Sequence, residues 1–198
     1  MNHKTLKITT IGLMAALAYI SFTFLQIKIT TPGGITSFHL GNTFCVLAAL
    51  LLGGIPGGLA GAIDMGIGDF LDPAYIMYAP KTIILKMSIG IITGLIAHHI
   101  FKIKNCKNNS KLLIYVVISV IAGMFFNVIG EPLLGYFYNS IVLGTPKKAV
   151  SILASWNVIT TSLNAIITVI LSSTIYLIIR PRLLKNNILK KLAPLYKE

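Results

Sequence analysis

Charge is scarce in this sequence. Of its 198 residues, 11% are charged and only five are Asp or Glu, against roughly 25% charged residues in soluble domains. Hydrophobic residues make up 55%, and the mean hydropathy is +0.82. Such a chain cannot cover itself with polar surface in water, which excludes an ordinary soluble domain. It predicts an all-α polytopic membrane protein, because only helices and closed barrels satisfy their backbone groups in lipid. Cysteine is nearly absent too. Cys45 lies in an apolar run and Cys106 in a basic loop; two free thiols form no disulfide framework and lack metal-ligand spacing. The four histidines, His3, His39, His98 and His99, make no metal constellation. There is no Walker loop, no HExxH and no GxSxG, so no ATPase, metalloprotease or serine-hydrolase signature is present. The chain is expected to be no enzyme and to carry no cofactor or metal. Its formal net charge of +12 comes without aromatic–basic alternation. It fits lysines at membrane helix ends facing anionic lipid better than a nucleic-acid surface.

What is present is a series of apolar runs. A spanning helix needs about 20 apolar residues. The runs fall at about 8–27, 38–52, 59–70, 82–101, 112–130 and 150–179, which predicts six helices in one membrane domain covering 1–198. Lys4 and Lys7 precede the first run as in a signal peptide, but no small-residue cleavage site closes it, so a retained span is expected. The second and third runs are short for a bilayer and interrupted by glycines and Asp64. Irregular backbone at membrane depth is tolerated where it lines a cavity, so these weak runs point to a pocket. With both termini inside, 12 of the 17 basic residues fall on the cytoplasmic side: Lys4, Lys7, Lys102, Lys104, Lys107, Lys111, Arg180, Arg182, Lys185, Lys190, Lys191 and Lys197. That bias predicts an N-in, C-in orientation.

Under that orientation the acids Asp64, Asp69, Asp72 and Glu131 gather toward the outer side. Charges at membrane depth face protein or water, so the stretch GDFLDPAYIMYAPKT, Gly68 to Thr82, is expected to cap an outward-facing cavity. Asp69, Tyr75, Tyr78 and Lys81 come from it. His39 and Asn42 share a helix face at the lip of the second run. Asn127 and Glu131 lie one turn apart, and Trp156, Asn157 and Asn164 lie on the sixth helix. Plainer roles fit some of these equally well: Asp72 and Asp69 as helix caps, Tyr75, Tyr78 and Trp156 as interface aromatics, and Lys86 as an ion-pair partner of Asp64 or Asp69. On the first helix, Gly12, Ala15 and Ala16 form a small-residue strip that permits close helix approach.

The run HLGNTFCVLAALLLGGIPGGLAGAIDMGIGDFLDPAYIMYAPKT, His39 to Thr82, resembles the substrate-binding S component of energy-coupling factor (ECF) vitamin transporters. The likeness extends more weakly over the whole chain through its length, its helix number, its first helix and its basic tail. It implies a six-helix protein of the bacterial cytoplasmic membrane that captures a water-soluble vitamin or precursor from outside. It also implies partners: a transmembrane coupling protein and two cytoplasmic ATPases that use ATP. The family's alanine pair four apart on the first helix, which packs on the coupling protein, corresponds here to Gly12-xxx-Ala16. The ligand is expected under the loop Gln26 to Ser37, with contacts from Asp69, Tyr75, Tyr78, Lys81, Asn127, Glu131, Trp156, Asn157 and Asn164. The residues leave the vitamin open: tyrosines and tryptophan suit an aromatic heterocycle, Lys81 an acid such as pantothenate. Two other classes fit the composition: an autonomous secondary transporter and an intramembrane enzyme using the acids.

Overall fold

The computed structural model describes residues 3–192; Lys197 lies outside them. Helix α1, His3–Phe24, leads into strands β1, Ile27–Thr31, and β2, Gly34–Phe38. Helices α2, Gly41–Leu52, and α3, Gly54–Leu71, follow, then α4, Ala79–Leu95, α5, Asn109–Phe137, α6, Lys147–Lys185, and the short α7, Ile188–Leu192. A 3-10 turn, Ile76–Tyr78, precedes α4, and π-helical turns, Ile96–Ile100 and Tyr138–Val142, extend α4 and α5.

The expected count of six spanning helices needs correction. Among the described residues four helices are long and apolar enough to cross a membrane: His3–Phe24, Ile76–Ile100, Asn109–Val142 and Lys147–Lys185. The polytopic α-helical class stands. At 1.5 Å per residue, the 12-residue α2 reaches roughly 18 Å, short of a hydrocarbon core of about 30 Å. Its residues from Cys45 to Leu52 are at most 2% exposed, so it is sheathed by other helices rather than lipid. Eighteen-residue α3 carries two aspartates and six glycines.

The helix limits depart from the apolar runs in instructive ways. Pro80 sits in the first turn of α4, where its missing N–H costs nothing, so α4 starts ahead of the run at 82. Pro132 is inside α5, which continues past the expected end at Gly130. A proline removes one helical hydrogen bond, but packed neighbours in a membrane bundle accommodate it. Glu131 therefore lies within a helix and not at its end. The segment expected as a loop at 26–37 is an antiparallel hairpin pairing Ile27 with Phe38 and Thr31 with Gly34. β-Branched residues on both sides of Pro32-Gly33 favour strands about a tight turn. Gly34 has φ +139, a conformation side-chain-bearing residues avoid.

Two cores result. The larger centres on α2, with Val46, Leu50, Leu52, Ile89, Val116, Val120 and Tyr176. The smaller one, Phe22, Met65 and Tyr75, lies under the hairpin. Helices α3 and α4 meet backbone to backbone: a side chain at Gly90 would run into the backbone of Gly58. Small residues at such a seam provide dispersion contact where no hydrophobic driving force acts between helices.

Candidate functional site

The hairpin roofs a polar cavity of about 70 Å³. It is reached by the start of α2 (His39 just before it, Asn42), α3 (Asp69), the α3–α4 connection (Tyr75, Tyr78), α4 (Lys81, Thr82, Lys86), α5 (Asn127, Glu131) and α6 (Asn157, Thr160, Asn164). The local sequence explains the convergence. Five successive helices place a polar residue near the same end, and membrane depth forces each one inward. Of the residues expected as ligand contacts, His39, Asn42, Asp69, Tyr75, Tyr78, Lys81, Asn127, Glu131, Asn157 and Asn164 line this cavity and Trp156 does not. Trp156 is 39% exposed on the outside of α6, as an interface aromatic is.

Ion pairs organise the site. Lys81 binds Glu131 across the α4–α5 gap and lies 5.6 Å from the Tyr78 ring centroid. The pairing proposed for Lys86 with Asp64 or Asp69 is replaced by another: its Nζ donates to Asn42 Oδ1 at 2.9 Å. Both cavity lysines thus have partners. Asp64 is buried but does not line the cavity. Asp72 stays outside the cavity: its Oδ1 accepts from Ala74 N at 3.0 Å and its Oδ2 pairs with Lys28 Nζ at 2.5 Å. Burial pushes the Asp72 pKa up, but the Lys28 hydrogen bond and charge and the Ala74 N–H outweigh it and hold it below 3.8.

Several polar atoms facing the cavity are left without partners: Asp69 Oδ2, both amide atoms of Asn127, and Asn139 Oδ1. Buried polar groups are nearly always hydrogen-bonded, so this concentration marks a place built for something else to bind. The hairpin is fastened on two sides. On α6, Thr36 Oγ1 and Thr160 Oγ1 lie 2.7 Å apart, and the Asn164 amide donates to Ser37 O and accepts from His39 N. On the α3–α4 connection, the Lys28–Asp72 pair and Tyr75, whose ring lies 5.1 Å from Lys28 Nζ and whose hydroxyl lies against Ser37, hold it, while the Tyr78 hydroxyl abuts Gly34.

Sequence reasoning missed Thr36, Ser37, Thr82, Asn139, Thr160 and Thr161 as lining residues. Threonines at 36, 160 and 161 are polar residues in otherwise apolar segments, a signal that was legible. The small-residue strip of α1 divides: Gly12 and Ala16 are exposed, with open space around Gly12, whereas Ala15 is 7% exposed and packs inward.

A roofed polar chamber at one end of a helical membrane bundle defines a solute-capturing membrane protein. The chain belongs to the family described as ECF-type riboflavin transporter, S component, whose profile matches residues 2–181. It is accordingly the S component of an ECF-type importer, a subunit that binds a small vitamin-like solute rather than an enzyme. Two solved structures share the fold. ThiT from Listeria monocytogenes is 18% identical with TM-score 0.64 over 98% of this chain and 100% of that one. An S component of a bacterial ECF transporter is 20% identical with TM-score 0.53 over 93% and 98%. No curated protein matches the chain.

Proposed function

We propose that this S component captures riboflavin from the extracellular side of a bacterial cell membrane. The observation that carries the reading is the set of unpartnered donors and acceptors on a charge-balanced cavity. Asp69 and Glu131 face Lys81 and Lys86, so the formal charges cancel. The ammonium groups are engaged by Glu131 and Asn42. A neutral ligand with many hydrogen-bonding groups fits that balance better than an acid. Riboflavin offers an imide edge with alternating acceptors and donor, a polyol chain, and a flat ring for Tyr75, Tyr78 and Phe22. The binding residues are His39, Asn42, Asp69, Tyr75, Tyr78, Lys81, Asn127, Glu131, Asn157 and Asn164; the family profile supports the choice of vitamin.

The mechanism follows from the roof. Ligand sites are commonly ~300–1,000 Å³, well above the present cavity, so the hairpin must lift and settle again around the ligand. The fastening on α6 is buried, whereas Lys28 and Asp72 are partly exposed. A screened surface pair contributes at most about 1 kcal/mol, so the hairpin opens from the α3–α4 side and hinges on α6. The basic segment at 102–111 and the basic end of α6 then lie in the cytoplasm, and the cavity faces out. The exposed Gly12 and Ala16 on α1 dock the transmembrane coupling protein, and two cytoplasmic ATPases of the same complex use ATP to reorient the subunit.

Titration of riboflavin with purified protein in the absence of ATP tests this. Saturable 1:1 quenching of flavin fluorescence is expected, with thiamine and pantothenate failing to compete. Folded protein that leaves riboflavin unquenched, or prefers pantothenate, contradicts it.

A further inference from the structure

A second groove lies at the opposite end of α4 and α5 from the cavity. It measures about 450 Å³ and is lined chiefly by Lys102, Asn105, Lys107, Asn108, Lys111 and Tyr115. Three of its lining residues are lysines and none is acidic. The local backbone explains why cations collect there. Lys102 takes φ +46, which ends the π-helical turn after α4 and folds the chain into a 3-10 turn at Ile103–Asn105. Ile103 is fully buried and draws the turn onto the bundle. Arg180 of α6 then donates from one guanidinium nitrogen to the carbonyls of Ile103, Lys104 and Cys106 at 3.1, 3.4 and 2.8 Å. The negative ends of these peptide dipoles are consumed from beneath. The lysines are left to set the potential of the outer face.

The groove also sits where lipid gives way to water. Phe101 and Tyr115 stack at 4.5 Å with planes 5° apart. Near them in the sequence, Ile100, Leu113 and Ile114 are 67%, 46% and 53% exposed, as side chains against hydrocarbon are. Basic clusters at this depth attract anionic headgroups. We propose that this groove seats the headgroup of an anionic phospholipid. Its phosphate sits among Lys102, Lys107 and Lys111, and its acyl chains run along Leu113 and Ile114. An anion without acyl chains would use the lysines alone; the adjoining apolar surface is what selects the lipid. The seat is separate from the vitamin cavity and independent of which vitamin binds.

The test is lipid retention by the full-length protein, read by native mass spectrometry after exchange with phosphatidylglycerol or phosphatidylcholine. Wild-type protein retains phosphatidylglycerol selectively. The triple variant Lys102→Gln, Lys107→Gln, Lys111→Gln binds it roughly a hundredfold more weakly, from the loss of three near-surface cations. The triple Lys→Arg variant keeps it. A control triple, Lys4→Gln, Lys7→Gln, Lys190→Gln, removes the same charge elsewhere and keeps retention. Unchanged size-exclusion profiles and melting temperatures establish that all three variants fold. Equal losses in the groove and control triples, or equal retention of phosphatidylcholine, overturn the proposal. So does calorimetric binding of inorganic phosphate that depends on the same three lysines without lipid retention, since that assigns a free anion.

Discussion

The α3–α4 seam and the polar cavity share helices α3 and α4 and follow opposite rules. At the seam, side chains are removed: Gly58 and Gly90 let backbones touch, and Gly54 meets Gly94 in the same way. At the cavity, a turn or two away, long polar side chains project and several of their atoms find no partner. The seam gains dispersion contact at the cost of all sequence freedom. The cavity carries unsatisfied groups that a stable apo protein would be better without, because each orphaned buried polar group costs about 1–3 kcal/mol. Stability is concentrated where chemistry is absent, and binding capacity where stability is sacrificed.

Substitutions that exchange these rules sharpen the contrast. The largest effect is expected for Gly90→Leu, which forces a side chain into the Gly58 backbone. Overpacking typically costs ~1–3 kcal/mol where side chains can shift, and backbone cannot, so a collapse of monodisperse yield is expected by size-exclusion chromatography. Normal yield and melting temperature would show that the seam is loose. Next comes Asn127→Leu, which removes two unpartnered buried atoms. Its melting temperature should hold or rise, while vitamin affinity drops about 10- to 100-fold, the equivalent of ~1–3 kcal/mol. A fall in both would make Asn127 a structural residue. Asn164→Ala should be intermediate. It frees Ser37 O and His39 N and so loosens the hinge, raising the ligand off-rate several-fold in stopped-flow traces.

The smallest effect belongs to the exposed latch. Lys28→Ala should speed ligand entry by less than about fivefold, in keeping with ~1 kcal/mol or less for a surface pair, and 1 M salt should mimic it. The pH dependence has a definite sign. Asp72 has its pKa lowered in the folded protein, so the latch is fully formed above its ordinary value of 3.8 and is lost as pH falls through the lowered value. Entry rates should therefore be flat from pH 8 to 5 and rise only in stronger acid. A rise between pH 7 and 6 would mean that another group governs the hairpin.

Much of the cavity lining was readable because membrane depth makes polar residues informative. Asp69, Lys81, Asn127, Glu131 and Asn164 had few ways to be satisfied except by facing one another. Trp156 misled because an aromatic at an interface is stable facing outward. Asp72 was ambiguous between cap and cavity, and its pairing with Lys28 of the hairpin and its bond from Ala74 N decided it. The hairpin itself was hidden by Pro32 and the glycines: turn signals outweighed the β-branched ITT and ITS beside them. Helix limits were the least legible part. Pro132 is a terminator in water and is tolerated in α5, and α6 runs 39 residues, Lys147–Lys185, roughly 58 Å at 1.5 Å per residue, well beyond its apolar stretch.

The central claim is tested most directly by equilibrium binding of riboflavin to the purified chain and to its Asn127→Leu variant, without ATP or partner subunits. Saturable one-to-one binding is expected, weakened in the variant while its melting temperature is maintained. Absence of binding by folded wild-type protein, or binding that Asn127→Leu leaves untouched, would contradict it.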